Sequence, residues 1–255
     1  MGMPVVTVAS GGMPVTDVTA GNKAGVPVSE STALFGVAVT KVAAGGMPVV
    51  YETIGGLPAV VPVTWSPTDN VTTTLSNGNL TGSCTATNNS IVRGTAAKSS
   101  GKLYFEEAWT GAFRGNSTMT GIALLSAGLA TISSASTGAV SYSSAGSVFN
   151  NSATAVATGY PVWNNATAVT ICVAVDLSND RIWFRLNGGL WNNSAPADPA
   201  ANVGGLDISN LFAATGAAPI ALMQGNTGII ATANFGATAF AQAMPSGFIA
   251  WNAGA

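Results

Sequence analysis

The sequence predicts an all-β protein, and three observations carry that expectation. Short runs rich in Val, Ile, Thr and aromatic residues recur with Gly, Asn and Ser between them. Apolar residues within the runs alternate with period two, and no long stretch keeps a helical period. Hydrophobic residues make up 47% of the 255 residues and charged residues only 7%, against roughly 25% charged in an ordinary domain. Core material is therefore ample, and solubility falls to Ser, Thr and Asn.

Two textures divide the chain. Residues 1–64 form an arm with a degenerate repeat: Met3-Pro4-Val5, Met13-Pro14-Val15, Val26-Pro27-Val28, Met47-Pro48-Val49 and Leu57-Pro58-Ala59. Proline holds the residue before it extended and gives no hydrogen to a central ladder. The Val and Thr that follow favour strands, and Gly11-Gly12 and Gly45-Gly46 favour turns. The reading is a series of short strands, each too small to bury a core alone. Flexible linkers are polar and Gly/Ser-rich, whereas this arm is rich in Val, Ala, Met and Leu. An arm that assembles with neighbouring chains is the favoured reading.

Residues 65–255 read as one domain of strands and turns. Asn77-Gly78 sits between two β-rich runs as a hairpin signal. "SSGKLYFEEAW", "STMTGIALLS", "AVSYSSAGSVFN" and "ATAVTICVAVDL" follow as strands, at the spacing of a sandwich or barrel. Helix is confined to one expected turn near 207–211.

The stretch 174–193, "AVDLSNDRIWFRLNGGLWNN", is the most informative. Val169, Ile171, Val173 and Val175 share one face of a strand, and Ile182, Phe184 and Leu186 share one face of the next. They are natural core partners across an antiparallel pair. Arg181, Trp183 and Arg185 then share the opposite face, either as a stacking platform or as packing beneath another layer. The second reading is favoured. Trp163-Asn164 and Trp191-Asn192 pair an indole with amides beside expected loops, which is the chemistry of a sugar platform. These residues are the ligand-binding candidates, set against a plain role in capping the core.

Composition also excludes. The net charge of −2 and single, scattered basic residues give no electrostatic grip on nucleic acid. Histidine is absent, which removes the Ser-His-Asp triad, the Cys-His dyad and almost every zinc site. Glu106 and Glu107 are neighbours on a strand and point to opposite faces. Asp176 and Asp180 flank a tight turn, and Asp198 and Asp207 lack calcium-loop spacing. No enzyme, no cofactor and no metal are therefore expected. Cys84 and Cys172 either pair or stay as buried thiols, the latter being favoured. The opening MGMPVVTVASGG lacks a basic n-region and an apolar core, so no signal peptide is read. No apolar run reaches the ~20 residues of a membrane helix.

The order "LSNGNLTGS", "SSGKLYFEE", "TGIALLS", "YSSAGSVFNN", "VTICVAVDLSNDRIWFRLNGGLWNN", "API", "ANFG" and "MPSGFIAWN" resembles the SPRY domain in the form found in bacteriophage virion proteins. The likeness covers about residues 65–255, and "VAVDLSNDRIWFRLNGG" is its most specific piece. It implies a bent sandwich of two antiparallel sheets whose loops bind a partner, usually protein and sometimes glycan, without catalysis. The arm looks like N-terminal segments of structural proteins from phages of alphaproteobacteria. Together the resemblances imply a virion structural protein, a head or tail fibre, spike or decoration, assembled in the host cytoplasm. The arm would contact other virion proteins in a homo-oligomer. The alternative is a receptor-binding module for a host surface glycan or protein. One departure stands out: Glu107 occupies a position that is usually apolar in the family. It either points inward and needs a partner, or a bulge turns it outward.

Overall fold

The computed structural model describes residues 28–34, 37–43, 50–53, 62–85, 90–113, 115–164, 168–211 and 216–253. The chain divides into two compact units, Met1–Val60 and Val61–Ala255. In the first, β1 (Val28–Leu34), β2 (Val37–Ala43) and β3 (Val50–Thr53) form a three-stranded antiparallel sheet in that order. The assembly residues Met3, Pro4, Val5, Met13, Pro14, Val15, Met47, Pro48 and Val49 lie outside the described residues.

The second unit is a β-sandwich. Its chain runs through β4 (Trp65–Val71), β5 (Thr73–Ser76), β6 (Thr81–Cys84), β7 (Ile91–Gly94), β8 (Lys102–Thr110) and β9 (Thr118–Leu124). The helix α1 (Leu129–Ala135) follows, then β10 (Ala139–Ser143), β11 (Val148–Asn150), β12 (Ala155–Ala157), β13 (Ala168–Asp176) and β14 (Arg181–Leu186). The last strands are β15 (Leu206–Asp207), β16 (Ala217–Met223), β17 (Ile230–Asn234) and β18 (Ile249–Ala250). One sheet has the order β12-β11-β10-β9-β16-β7-β4, the other β15-β14-β13-β8-β17-β6-β5, with β18 alongside β8. Every pairing is antiparallel except β18 with β8.

Alternation builds the core as the sequence implies. Ile171, Val173 and Val175 of β13 pair in register with Leu186, Phe184 and Ile182 of β14. They join Phe105, Trp109, Ile122, Val140 and Tyr142 in the central cluster. Asn77 and Gly78 both hold positive φ, 52° and 61°, and turn β5 into β6.

Both outer faces are covered as well. On the β9–β16 sheet, Ile91, Met119, Ala123, Ile220 and Leu222 pack with Leu129 and Ile132 of α1. This helix was not foreseen in a Ser- and Ala-rich stretch. Its two large apolar residues, Leu129 and Ile132, three apart, are enough once a sheet receives them. The turn expected near 207–211 directly follows β15, whose Asp207 pairs with Arg181, and is closed by the Leu211 N–H on the Ile208 carbonyl at 2.9 Å. On the β8–β13 sheet, Tyr104, Cys172, Ala174 and Trp183 pack with Phe248, bordered by Trp191, Ala197 and Phe240. Cys84 and Cys172 lie buried in separate clusters and are not joined in a disulfide.

Candidate interaction surface

The candidate ligand residues, Trp163, Asn164, Trp191 and Asn192 together with Trp183 of the stacking-platform reading, are not gathered into one site. Trp163 belongs to the central core, only 1% exposed, with ring centres 5.0 Å from Phe113, 5.5 Å from Trp109 and 6.2 Å from Tyr142. It presents no face to a ligand, which corrects the sugar-platform expectation at this position. The cause is its place in the loop after β12. Its backbone N–H bonds the Ser144 carbonyl, and that bond draws the indole between the sheets. Asn164 is half-buried beside it and also bonds Ser144 through its backbone.

Trp183 is likewise fully buried, on the outer face of the other sheet. Its indole donates to the Val203 carbonyl at 2.8 Å, and Phe248 meets it edge-on. Gly205 lies flat on the ring, where a Cβ would come within 2.5 Å of it. Of the two readings of the Arg181-Trp183-Arg185 row, packing beneath another layer is the one realised at Trp183.

Trp191 alone keeps an accessible edge. It is half-buried, with the Arg185 guanidinium carbon 4.3 Å from its ring centre and Tyr104 edge-on at 6.5 Å. Arg185 also donates to the Ala243 carbonyl at 2.9 Å. That bond ties Arg185 to the segment that carries Met244. Leu190 and Met244 are 52% and 37% exposed. Leu190 and Trp191, with Arg185 stacked on the indole, form an apolar patch at a candidate residue, and Met244 follows the Ala243 carbonyl that Arg185 holds. Sequence reasoning missed Leu190 and Met244, because nothing in the sequence showed residues 240–248 folding back over this face.

Asn192 is a fastener rather than a ligand contact. It holds φ 47°, accepts the Phe184 N–H on Oδ1 at 2.8 Å, and donates from Nδ2 to the Gly204 carbonyl at 2.8 Å. It thereby ties β14 to the loop that covers Trp183. Asn192→Ala is expected to cost about 2 kcal/mol, two hydrogen bonds at about 1 each, read as a lower urea midpoint for the full chain.

Glu106 anchors the returning segment from below. Only 3% exposed, it accepts the N–H groups of Ala241 and Gln242 at 2.7 and 2.8 Å and the Tyr104 hydroxyl at 2.7 Å. Burial raises the Tyr104 phenol far above its usual range and raises the Cys172 thiol as well. Both groups are held neutral.

Three of the aspartates, Asp176, Asp198 and Asp207, are engaged in turns. Asp176 accepts the N–H groups of Ser178 and Asn179 and the Asn179 amide. Asp198 accepts the Ala200 N–H. Asp207 bonds Ser209, whose hydrogen bonds together with Arg181 at 2.6 Å bring its carboxyl down to about 2.

Among the described residues no helix is long and apolar enough to cross a membrane. No family model matches the chain. No curated protein matches it either. Solved structures do. The SPRY domain of human HERC1 is 14% identical, with a TM-score of 0.51, and the match covers 69% of this chain and 99% of that one. The TRIM65 PSpry domain is 12% identical, with a TM-score of 0.42, covering 68% of this chain and 92% of that one. The metal-free form of lectin I-B4 from Griffonia simplicifolia is 12% identical, with a TM-score of 0.42, covering 67% and 89%. Identities this low speak to architecture alone, and on the HERC1 match the sandwich has the fold of a SPRY domain.

Proposed function

We propose that the chain is a bacteriophage virion structural protein, a head or tail fibre, spike or decoration, that acts by binding and not by catalysis. Its N-terminal arm contacts other virion proteins in a homo-oligomer, and its SPRY-like sandwich faces outward as an interaction domain. The observation that carries the reading is the SPRY fold of the sandwich, an architecture that generally serves protein–protein contact. The phage assignment rests on the motifs that resemble virion SPRY domains and on the Met-Pro-Val arm. The engagement of Asp176, Asp198 and Asp207 in turns is in keeping with a binding role.

The test is co-sedimentation of the tagged full chain with particles from the producing host. Association should survive Trp191→Ala and be lost when the Met-Pro-Val units at 3–5, 13–15 and 47–49 are replaced by Gly-Ser. Association indifferent to the arm would sink the anchoring role.

A second reading, recognition of a host surface glycan or protein, is favoured by the patch that the exposed Leu190 forms with the adjoining half-buried Trp191, on which Arg185 stacks. Saturable binding of the labelled full chain to host cells is then expected, weakened about tenfold or more by Trp191→Ala. That factor corresponds to ~1.5–2 kcal/mol, the upper end for an aromatic pair and the range of a desolvated cation–π contact. Equal binding by the variant excludes this patch.

A further inference from the structure

Glu107 is the most anomalous residue of the sandwich. It lies midway along β8, which pairs with β13 on one side and β17 on the other. Its backbone partners are Ile171 and Ala233, within continuous registers on both sides. No bulge turns it outward, and of the two sequence readings the inward one holds. The side chain is 0% exposed, on the same face as Leu103, Phe105 and Trp109.

The polar groups facing its carboxyl are the Thr120 hydroxyl of β9, across the gap, and the indole N–H of Trp109. Neither closes a hydrogen bond of normal length with it. Both carboxyl oxygens, Thr120 Oγ1 and Trp109 Nε1 are buried without a partner. The packed elements bring Ile171 and Val173 from β13, Ala231 and Ala233 from β17, Ile122 from β9 and Ala221 from β16. The other titratable groups of this core are Cys84 on β6, Tyr142 on β10 and Tyr160. The Tyr142 hydroxyl donates to the Pro161 carbonyl. No charged group acts on Glu107. Glu106, one residue away, faces the opposite side of the sheet with three donors of its own.

We propose that Glu107 is a proton-dependent lock between the two sheets: as a neutral acid it lets them close, and as a carboxylate it drives them apart. A neutral acid has one proton to place, and the Thr120 hydroxyl stands opposite to receive it. A carboxylate there would be an unpaired buried charge, with a cost of the same order as a domain's whole net stability. The position is central, so the cost falls on the joint between the sheets and not on a loop.

The direction with pH follows. Burial pushes the Glu107 carboxyl well above its ordinary 4.5. The unfolded chain gives up this proton near the ordinary value, while the folded chain keeps it. The stability contributed by Glu107 is therefore fully present below that value and is lost as pH rises toward the folded value. Over that window the unfolding equilibrium constant rises by up to about tenfold per pH unit.

The test uses the full chain in two measurements. Infrared spectra near neutral pH should contain a protonated-carboxyl band in the wild type that Glu107→Gln removes. Urea unfolding from about pH 5 to about pH 8 should give a wild-type constant that climbs relative to Glu107→Gln by up to about tenfold per unit. Parallel curves for the two proteins overturn the lock. Should the variant fail to fold, titration of the band in the wild type decides: loss near 4.5 overturns the proposal, and persistence to neutral pH supports it.

Discussion

Trp163→Ala is expected to cost the sandwich about 3–5 kcal/mol, the range for deleting a buried Trp or Phe side chain. Net stabilities run to roughly 5–15 kcal/mol, so the variant should approach unfolding. The rings of Trp109, Phe113 and Tyr142 around it all lose their contact at once. Urea denaturation of the full chain checks this, with Trp191→Ala beside it. That second indole is half-buried and should cost about 1–2 kcal/mol. A small loss at Trp163 would mean that the loop after β12 does not hold the indole between the sheets. A loss of host-cell binding in Trp163→Ala alone would report unfolding rather than a ligand site.

Glu106→Ala is expected to have a comparable effect by a different route. Its carboxyl satisfies the Ala241 and Gln242 N–H groups and the Tyr104 hydroxyl beneath a covering segment. Hydrogen bonds to charged groups contribute about 1.5–3 kcal/mol each, and three donors lose their acceptor together. A total of about 3–5 kcal/mol is expected, since some donors will find water. The loss should appear first as faster hydrogen exchange at Ala241 and Gln242. Exchange unchanged at those amides would show that Phe240 and Phe248 hold the segment without Glu106.

The central strands could be read from the sequence because alternation is a local signal. β8, β13 and β14 follow from their own residues, and so does the inward face of Ile171, Val173, Phe184 and Ile182. What covers the outer faces could not be read, since it depends on contacts far apart in the chain. Trp183 meets Val203 and Phe248, and Trp191 meets Tyr104 and Arg185. An aromatic-plus-asparagine signature therefore marked one core residue, one half-open surface residue and one fastener alike. Glu107 was visible as an exception, and the continuous register of β8 decided which way it faces. The helix α1 was hidden because only two of its residues, Leu129 and Ile132, are large and apolar, and they have meaning only against a sheet.

Covering both outer faces has a consequence for how the domain can diversify. Along β13 the residues from Ile171 to Asp176 are all buried, and β10 and β16 are buried from end to end. A substitution in these strands disturbs packing whichever way the side chain points, so drift there is closely confined. The turns at 151–154 and 187–190, mostly exposed, touch little of that packing. They are where new residues, or whole insertions, can be accepted without the scaffold noticing. In such a module novelty accumulates at the turns while the strands stay nearly constant.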